Sequence, residues 1–333
     1  MPNFDVWARL SLWADRTTPR VVQVGRCLLA INAVTVSMAV SGCAADGDRT
    51  STESVRHSAV WRLPVNPYPN VRDQMDGLFA GIGTRLSAIE ELSWRCMRDK
   101  GLKYVKQPPL KKDVNPTMGD PGYGLSVAEA RSNGYGTQTN LNEVAGGEDP
   151  YRDQSDAERQ RWGDAYFGPS SAAKVQVTLP NGAVVETSSE GCLAEAQKQV
   201  FGSLEQMLKS ENFAGNLPIE VRKRANADPA MRSLNASWSA CMAKQGYAGL
   251  AEPIAARAKA GEFYKNADGG FAAEAKLAVA DSSCERSIGY GPARKRLEDL
   301  YYTAALIHYE PEVTAVQEVN SAALARARKI LAS

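Results

Sequence analysis

Ser93-Trp94-Arg95-Cys96-Met97-Arg98-Asp99-Lys100-Gly101-Leu102 returns later in the chain as Ser237-Trp238-Ser239-Ala240-Cys241-Met242-Ala243-Lys244-Gln245-Gly246-Tyr247. Both stretches end an apolar-striped segment with Cys-Met-x-x-x-Gly, the tryptophan lying one residue further upstream in the second. Ahead of the first, Val71, Met75, Leu78, Ile82, Leu86, Ile89 and Met97 recur at three- and four-residue steps, which predicts a helix over 71–100. Gly77, Gly81 and Gly83 weaken that helix and mark close packing or a bend, and Gly101 stands where a helix C-terminal glycine belongs. Ahead of the second, Asp228-Pro229 reads as an N-cap followed by proline at the first helical position, leading into Met231, Leu234, Trp238 and Cys241.

Each copy is followed, beyond a loop, by another cysteine behind small polar residues: Ser188-Ser189-Glu190-Gly191-Cys192 and Asp281-Ser282-Ser283-Cys284. A twice-used unit, with a cysteine in the last helical turn stapled to a later helix, pairs Cys96 with Cys192 and Cys241 with Cys284. Spacing alone leaves Cys192–Cys241 with Cys96–Cys284 open. None of these four cysteines forms a C-x-x-C pair, which disfavours a four-cysteine zinc site. No metal or cofactor is expected.

The rest of the chain is read around these two units. Ser126-Val-Ala-Glu129 and Ser155-Asp-Ala-Glu158 are capping boxes that open short helices, the second running through Trp162 to Phe167. Val175, Val177 and Leu179 then alternate with polar residues, Pro180-Asn181-Gly182 makes a turn, and Val184-Val185-Glu186-Thr187 runs back, which predicts a β-hairpin. Leu193, Val200, Leu204 and Met207 form one further stripe. Leu277, Cys284 and Ile288 mark another helix, Leu297, Tyr301, Ala304 and His308 one more that breaks near Pro311, and Val313 to Leu331 the last. The expected fold is mainly α, a disulfide-stapled helical domain over 70–333 with a small β-hairpin and two cysteine-containing halves, about 70–210 and 228–333.

The N-terminal region predicts export. Arg16, Arg20 and Arg26 precede an apolar run over 27–41, and small residues follow at once. A basic stretch, a short apolar core and a small-residue cleavage site make a signal peptide over 1–42. The run is shorter than the roughly 20 apolar residues of a spanning helix and contains Asn32. Val40-Ser41-Gly42-Cys43 resembles the lipobox of bacterial prolipoproteins, which implies that Cys43 is lipidated and becomes the mature N-terminus. Residues 43–69, polar at first and then carrying Pro64, Pro67 and Pro69, read as a flexible tether that holds the domain off the membrane. Outside the cytoplasm thiols oxidise, so Cys96, Cys192, Cys241 and Cys284 are expected in disulfides. With Lys+Arg 39 against Asp+Glu 38, the net charge of +1 offers no electrostatic case for nucleic acid.

The order of these features is itself similar to that of a family. The lipobox, Trp-x(1,2)-Cys-Met-x3-Gly, Tyr123-Gly124-Leu125 with Gly134-Tyr135-Gly136, the Pro-Asn-Gly hairpin and Gly191-Cys192-Leu-Ala-Glu-Ala together resemble a group of lipoproteins and secreted proteins of actinobacteria without an established activity. The resemblance implies export and disulfides and supplies no mechanism.

No catalytic signature stands out. With His57 in the tether and His308 beside an apolar stripe, the 2 histidines lack the positioned partners that Ser-His or Cys-His chemistry requires. Ser171-Ala-Ala-Lys174 matches Ser-x-x-Lys without the companion Lys-Thr-Gly segment, and at the start of a strand. Glu148, Asp149, Asp153, Asp156 and Glu158 form an acidic cluster better explained by solvation and capping than by convergent carboxylates. Asn266-Ala-Asp268-Gly-Gly270 lacks the later Glu of a calcium loop. Trp94 and Trp238 read as core residues packed on the disulfides. A partner surface, if one exists, is expected at Tyr123, Tyr135, Trp162, Tyr166 and Phe167, where loops of special geometry gather. The functional expectation is a lipid-anchored, non-enzymatic interaction module for an envelope protein, a peptide or a cell-wall component. Its alternatives are a carboxylate-dependent hydrolase and a ligand-binding component of a transporter.

Cys43→Ala is expected to abolish labelling by a radioactive fatty acid in cells while leaving both disulfides formed. Unchanged labelling would refute the lipobox reading.

Overall fold

The computed structural model describes residues 61–107, 122–137, 153–264 and 269–333. The chain divides into Met1–Ser58 and Ala59–Ser333, and every described residue belongs to the second unit. Cys43 and the signal segment lie outside the described residues.

The domain is mainly helical with one two-stranded antiparallel sheet. Its elements are α1 (Val71–Gly77), α2 (Ile82–Asp99), α3 (Val127–Asn133), α4 (Asp156–Phe167), β1 (Lys174–Thr178), β2 (Val184–Ser188), α5 (Cys192–Phe201) and α6 (Leu204–Asn226). They continue with α7 (Pro229–Lys244), α8 (Pro253–Glu262), α9 (Gly270–Ile288), α10 (Tyr290–His308) and α11 (Glu310–Leu331).

The repeated motif proves to be one device used twice. Disulfides join Cys96 to Cys192 and Cys241 to Cys284, each with Cα atoms 5.7 Å apart. In α2 the Gly101 N–H donates to Arg98 O at 2.8 Å and the Leu102 N–H to Met97 O at 2.9 Å. In α7 the Gly246 N–H donates to Ala243 O at 3.1 Å and the Tyr247 N–H to Met242 O at 2.9 Å. This is the Schellman pattern, with glycine in the left-handed region satisfying the last helical carbonyls (φ 69° at Gly101, 89° at Gly246). The Met of Cys-Met-x-x-x-Gly supplies the carbonyl that closes the motif, and Met97 and Met242 are both fully buried. The Cys one residue earlier points from the same final turn towards the partner helix, α5 in the first copy and α9 in the second.

Two apolar cores form around the staples. The first gathers Val71, Met75 and Leu78, then Ile82, Ala88 and Ile89 of α2, the hairpin through Val177 and Leu179, α5, α6, the C-terminal half of α10 and α11. The second gathers Ala130 and Tyr135 with α7, α8, α9 and Tyr290 at the start of α10. The cores therefore do not follow the sequence halves. α3 comes from the first half but packs on α9, while α10 begins in the second core and ends in the first.

Local signals are answered closely. Both capping boxes are present with both of their hydrogen bonds, and Asp228 accepts from the Ala230 N–H ahead of Pro229. The hairpin pairs Thr178 with Val184 and Val177 with Val185. Its connection is a three-residue loop, in which the Gly182 N–H donates to Leu179 O and the Leu179 N–H to Ala183 O, both at 2.8 Å. Pro180 fits the first central position of that turn, and Gly182 (φ 82°) the left-handed one.

Three expectations need correction. The helix over 71–100 is interrupted between α1 and α2 at Gly81 (φ 73°), where a Cβ would meet Leu324 of α11 at 2.7 Å. The stripe from Leu193 to Met207 is two helices, because Gly202 (φ 93°) turns the chain and Ser203 caps α6 through the Gln206 N–H. The tether does not reach residue 69: Trp61 is only 6% exposed, and Arg224 lies over its ring at 4.2 Å. The His308 and Tyr309 rings are each 5.9 Å from it, and the Tyr68 N–H donates to Thr303 Oγ1 at 2.9 Å. Burial of this one large aromatic side chain contributes on the order of 2–3 kcal/mol to holding the segment on the domain.

A Cβ added at Gly101 or Gly246 meets no atom within 4 Å, so these sites isolate backbone strain from packing. Gly101→Ala and Gly246→Ala should each cost about 1–2 kcal/mol in urea unfolding, the cost of a left-handed non-glycine residue. Losses below a few tenths would mean that the Schellman turns do not hold the helix ends.

Candidate functional site

The described chemistry concentrates along α9 and α10, beneath the strap formed by residues 122–137. α9 carries Glu274, Asp281 and Glu285 at steps of seven and four, which puts all three on one face. That face is buried, because the strap lies across it. Glu274 Oε1 accepts from the Tyr135 N–H at 2.7 Å and the Thr137 N–H at 3.1 Å, and its other oxygen accepts from the Tyr264 hydroxyl. Asp281 accepts from the Tyr135 hydroxyl and from Trp238 Nε1, each at 2.8 Å. Glu285 Oε2 accepts from the Gly124 N–H at 2.6 Å. Gly134 (φ 57°) lies so close to Glu274 that a Cβ there would stand 2.7 Å from its carboxyl carbon.

The pattern continues on α10. Glu298 accepts from Arg294 Nε at 2.8 Å, from a terminal guanidinium nitrogen of Arg72 at 2.9 Å and from the Tyr123 hydroxyl at 2.9 Å. Arg72 Nε also donates to Asp299 at 2.7 Å, and Lys295 Nζ donates to the other oxygen of Asp299 at 2.5 Å. Arg294 donates to the Tyr290 hydroxyl at 3.0 Å, and that hydroxyl donates to Asn235 at 2.7 Å. An ionic layer thus crosses the middle of α10, where the helix passes from one core to the other.

Electrostatics divide these acids into two kinds. Burial, reinforced by the neighbouring Asp281 carboxylate, pushes Glu285 up to about 7. Burial also raises Asp281, against the hydrogen bonds from Tyr135 and Trp238 that lower it. In α6, burial raises Glu211 in spite of its 3.0 Å pair with the buried Arg85. The exposed capping residues Glu129 and Glu158 shift down instead, because the Ser126 and Ser155 groups they accept from favour the ionised form.

These positions revise the expected partner surface. Tyr135 is buried and holds the strap on Asp281. Tyr123 is half-buried, bonded to Glu298, with Arg294 4.8 Å above its ring. Trp162 and Tyr166 are buried in an aromatic cluster with Tyr104 and the half-buried Phe167. There Trp162 Nε1 donates to Lys103 O at 2.8 Å, and the Tyr104 hydroxyl donates to Glu90. The five residues fall into two separate groups, and both are committed to internal docking: Tyr123 and Tyr135 of the strap, and Trp162, Tyr166 and Phe167 of α4, which pack on the segment after α2. Trp94 also differs from expectation. It is half-exposed with Arg98 and Lys106 over its ring at 4.7 and 4.2 Å, whereas Trp238 is fully buried.

Asp153, Asp156 and Glu158 are exposed, Glu158 serving its capping box, while Glu148, Asp149, Asn266 and Asp268 lie outside the described residues. Ser171 and Lys174 are exposed, on either side of the start of β1. His308, in the last turn of α10, packs its ring 4.5 Å from Tyr309. Among the described residues no group of three or more His, Cys, Asp or Glu could hold a metal ion. Among the described residues an open depression of about 340 Å³ lies between α7 and α10, lined by Ala230, Ser233, Leu234, Ser237, Ala293 and Leu297. The buried acids Glu274, Asp281, Glu285 and Glu298 carried a signal that sequence reading passed over. Asp281 and Glu285 flank Cys284 on a helix whose apolar stripe is Leu277, Cys284 and Ile288. No family model matches the chain, no curated protein matches it in sequence and no solved structure matches it in fold.

A carboxylate whose folded value is raised binds its proton more tightly in the native state, so stability is greatest below the ordinary carboxylate value and falls as pH rises towards the raised one. Glu285, with Asp281 moving in the same direction, should cost on the order of 2–3 kcal/mol between pH 5 and pH 8. Urea midpoints should therefore fall over that range, and Glu285→Gln should flatten most of the fall. A midpoint that rises with pH would contradict the burial of this pair.

Proposed function

We propose that this chain is a lipid-anchored extracytoplasmic protein, tethered through Cys43, that works as a non-enzymatic binding or interaction module in the cell envelope. The observation that carries the reading is the pair of disulfides joining Cys96 to Cys192 and Cys241 to Cys284. Such staples persist where thiols oxidise, and they constrain the unfolded chain by about 4 kcal/mol each in the chain-entropy account. No helix among the described residues is long and apolar enough to cross a membrane. Attachment in this reading depends on the lipobox cysteine, and residues 44–60 are the spacer. The likeness to lipoproteins of actinobacteria supports the same compartment.

The polar groups of the domain support a binding role over catalysis. The buried carboxylates of α9 and α10 accept hydrogen bonds from backbone N–H groups, tyrosine hydroxyls, an indole and guanidinium groups of the same chain. Catalytic acids need open lone pairs facing a substrate. One observation favours the carboxylate-hydrolase alternative, namely that Asp281 and Glu285 are two buried acids one helical turn apart with Glu285 near neutrality. Both carboxylates lie beneath the strap and accept hydrogen bonds from it.

Proximity labelling from the anchored full-length protein in its own cells, against Cys43→Ala as control, tests the reading. Enrichment of a defined set of envelope proteins that depends on Cys43 is the expected result. Hydrolysis of cell-wall glycan or peptide by the purified protein, abolished by Glu285→Gln or Asp281→Asn with folding intact, would replace it with the hydrolase.

A further inference from the structure

The segment that leads into the domain is an arch fastened at both ends. At one foot the Trp61 ring lies 5.9 Å from those of His308 and Tyr309, and at the other the Tyr68 N–H donates to Thr303 Oγ1 at 2.9 Å. Thr303 and His308 are only about 8 Å apart along α10, whereas the chain from Trp61 to Tyr68 can reach about 23 Å. The surplus chain stands off the helix, bends at Val65–Asn66 and is stiffened by Pro64, Pro67 and Pro69.

The arch presents apolar side chains to solvent. Val65 at the bend is 88% exposed, Leu63 37% and Tyr68 43%, and Ile307, on α10 between the two feet, is 50% exposed. Ile307 lies one turn beyond Thr303 and so on the same side of that helix. Single exposed apolar residues are ordinary, but four of the ten large ones exposed among the described residues gather here.

The size, place and charge of this patch point to one occupant. Four side chains expose on the order of a few hundred Å², short of the roughly 800 Å² that a stable interface takes from each protein partner. So small a contact serves a surface already held nearby, because tethering supplies a high effective concentration. Trp61 follows Cys43 by eighteen residues, a reach of at most about 65 Å from a lipid on that cysteine. Between Glu53 and Asp73 the chain carries no acidic residue but has Arg56, Arg62 and Arg72. Arg62, next to Leu63, is exposed. That balance suits the anionic headgroups of a phospholipid surface.

We propose that the arch 61–69, with Ile307, seats the domain on the outer face of the membrane that holds Cys43. Leu63 and Val65 enter the boundary between headgroups and acyl chains, while Arg62 and the Tyr68 hydroxyl stay at headgroup level. The seat deepens the reading of Cys43 as the lipid anchor and rests on it. It gives the anchored domain a defined orientation, with the C-terminal end of α10 towards the bilayer.

Photocrosslinking of the lipidated full-length protein in membranes of its own cells tests the seat. p-Benzoylphenylalanine replaces Val65 in one variant and Phe271, an exposed aromatic residue in the first turn of α9, in the other. Irradiation should give several-fold more phospholipid adduct at position 65 than at position 271. Incorporation of radioactive fatty acid at Cys43 is measured on the same samples. Fatty acid at Cys43 with equal phospholipid adducts at the two positions overturns the seat and leaves the anchor standing. Adducts at position 65 chiefly to a protein overturn it in favour of a protein-docking site. Absence of fatty acid at Cys43 removes the anchor, and the seat with it.

Discussion

A disulfide in the last turn of a helix constrains more than two sulfur atoms, and the rest of this domain depends on that constraint. The helix must end at a defined residue, or the cysteine faces the wrong neighbour. Glycine in the left-handed region ends it, the methionine four residues earlier closes the turn through its carbonyl and fills the core, and the cysteine before it reaches the partner helix. Shifting the cysteine by one residue along the helix would turn it through roughly 100° about the helix axis. The same solution serves α2 against α5 and α7 against α9. Each core is therefore built around a helix pair whose register is covalently set.

Between the two cores the requirements are electrostatic. α10 passes from one to the other, and its middle carries Arg294, Glu298 and Asp299, with Arg72 of α1 and Lys295 completing the layer. Burying charge is costly unless every group is partnered, and removing one member strands the others. This layer fixes how α1 and the strap lie on α10. It also explains why Tyr123 of the strap is half-buried: its hydroxyl is a donor to Glu298, as that of the buried Tyr135 is to Asp281 of α9.

Much of the fold was legible because its determinants are local. Both capping boxes, the Asp228 cap, the Pro-Asn-Gly hairpin and the glycine-ended helices rest on residues within six positions of one another, and the structure answers each. The pairing of Cys96 with Cys192 and Cys241 with Cys284 was legible through repetition, though spacing alone left an alternative open. The candidate site was read poorly. Tyr123, Tyr135, Trp162 and Tyr166 were expected at a surface because loops of special backbone geometry gather near them. Their partners, Glu298, Asp281, Lys103 and Tyr104, lie 175, 146, 59 and 62 residues away and leave no mark on the neighbouring sequence.

By itself, then, the sequence determined where helices stop, where the strands turn back and which cysteines belong to one unit, since these follow from backbone geometry and the nearest side chains. Only the tertiary structure decided which polar residues are buried, which core each helix joins and how far the domain extends towards its N-terminus. Trp61 orders its segment by finding Arg224 and Tyr309, and α9 tolerates its buried acids because a strap from the other half of the chain supplies their donors. A buried charge is stable only in company, and that company was assembled across the fold rather than along the chain.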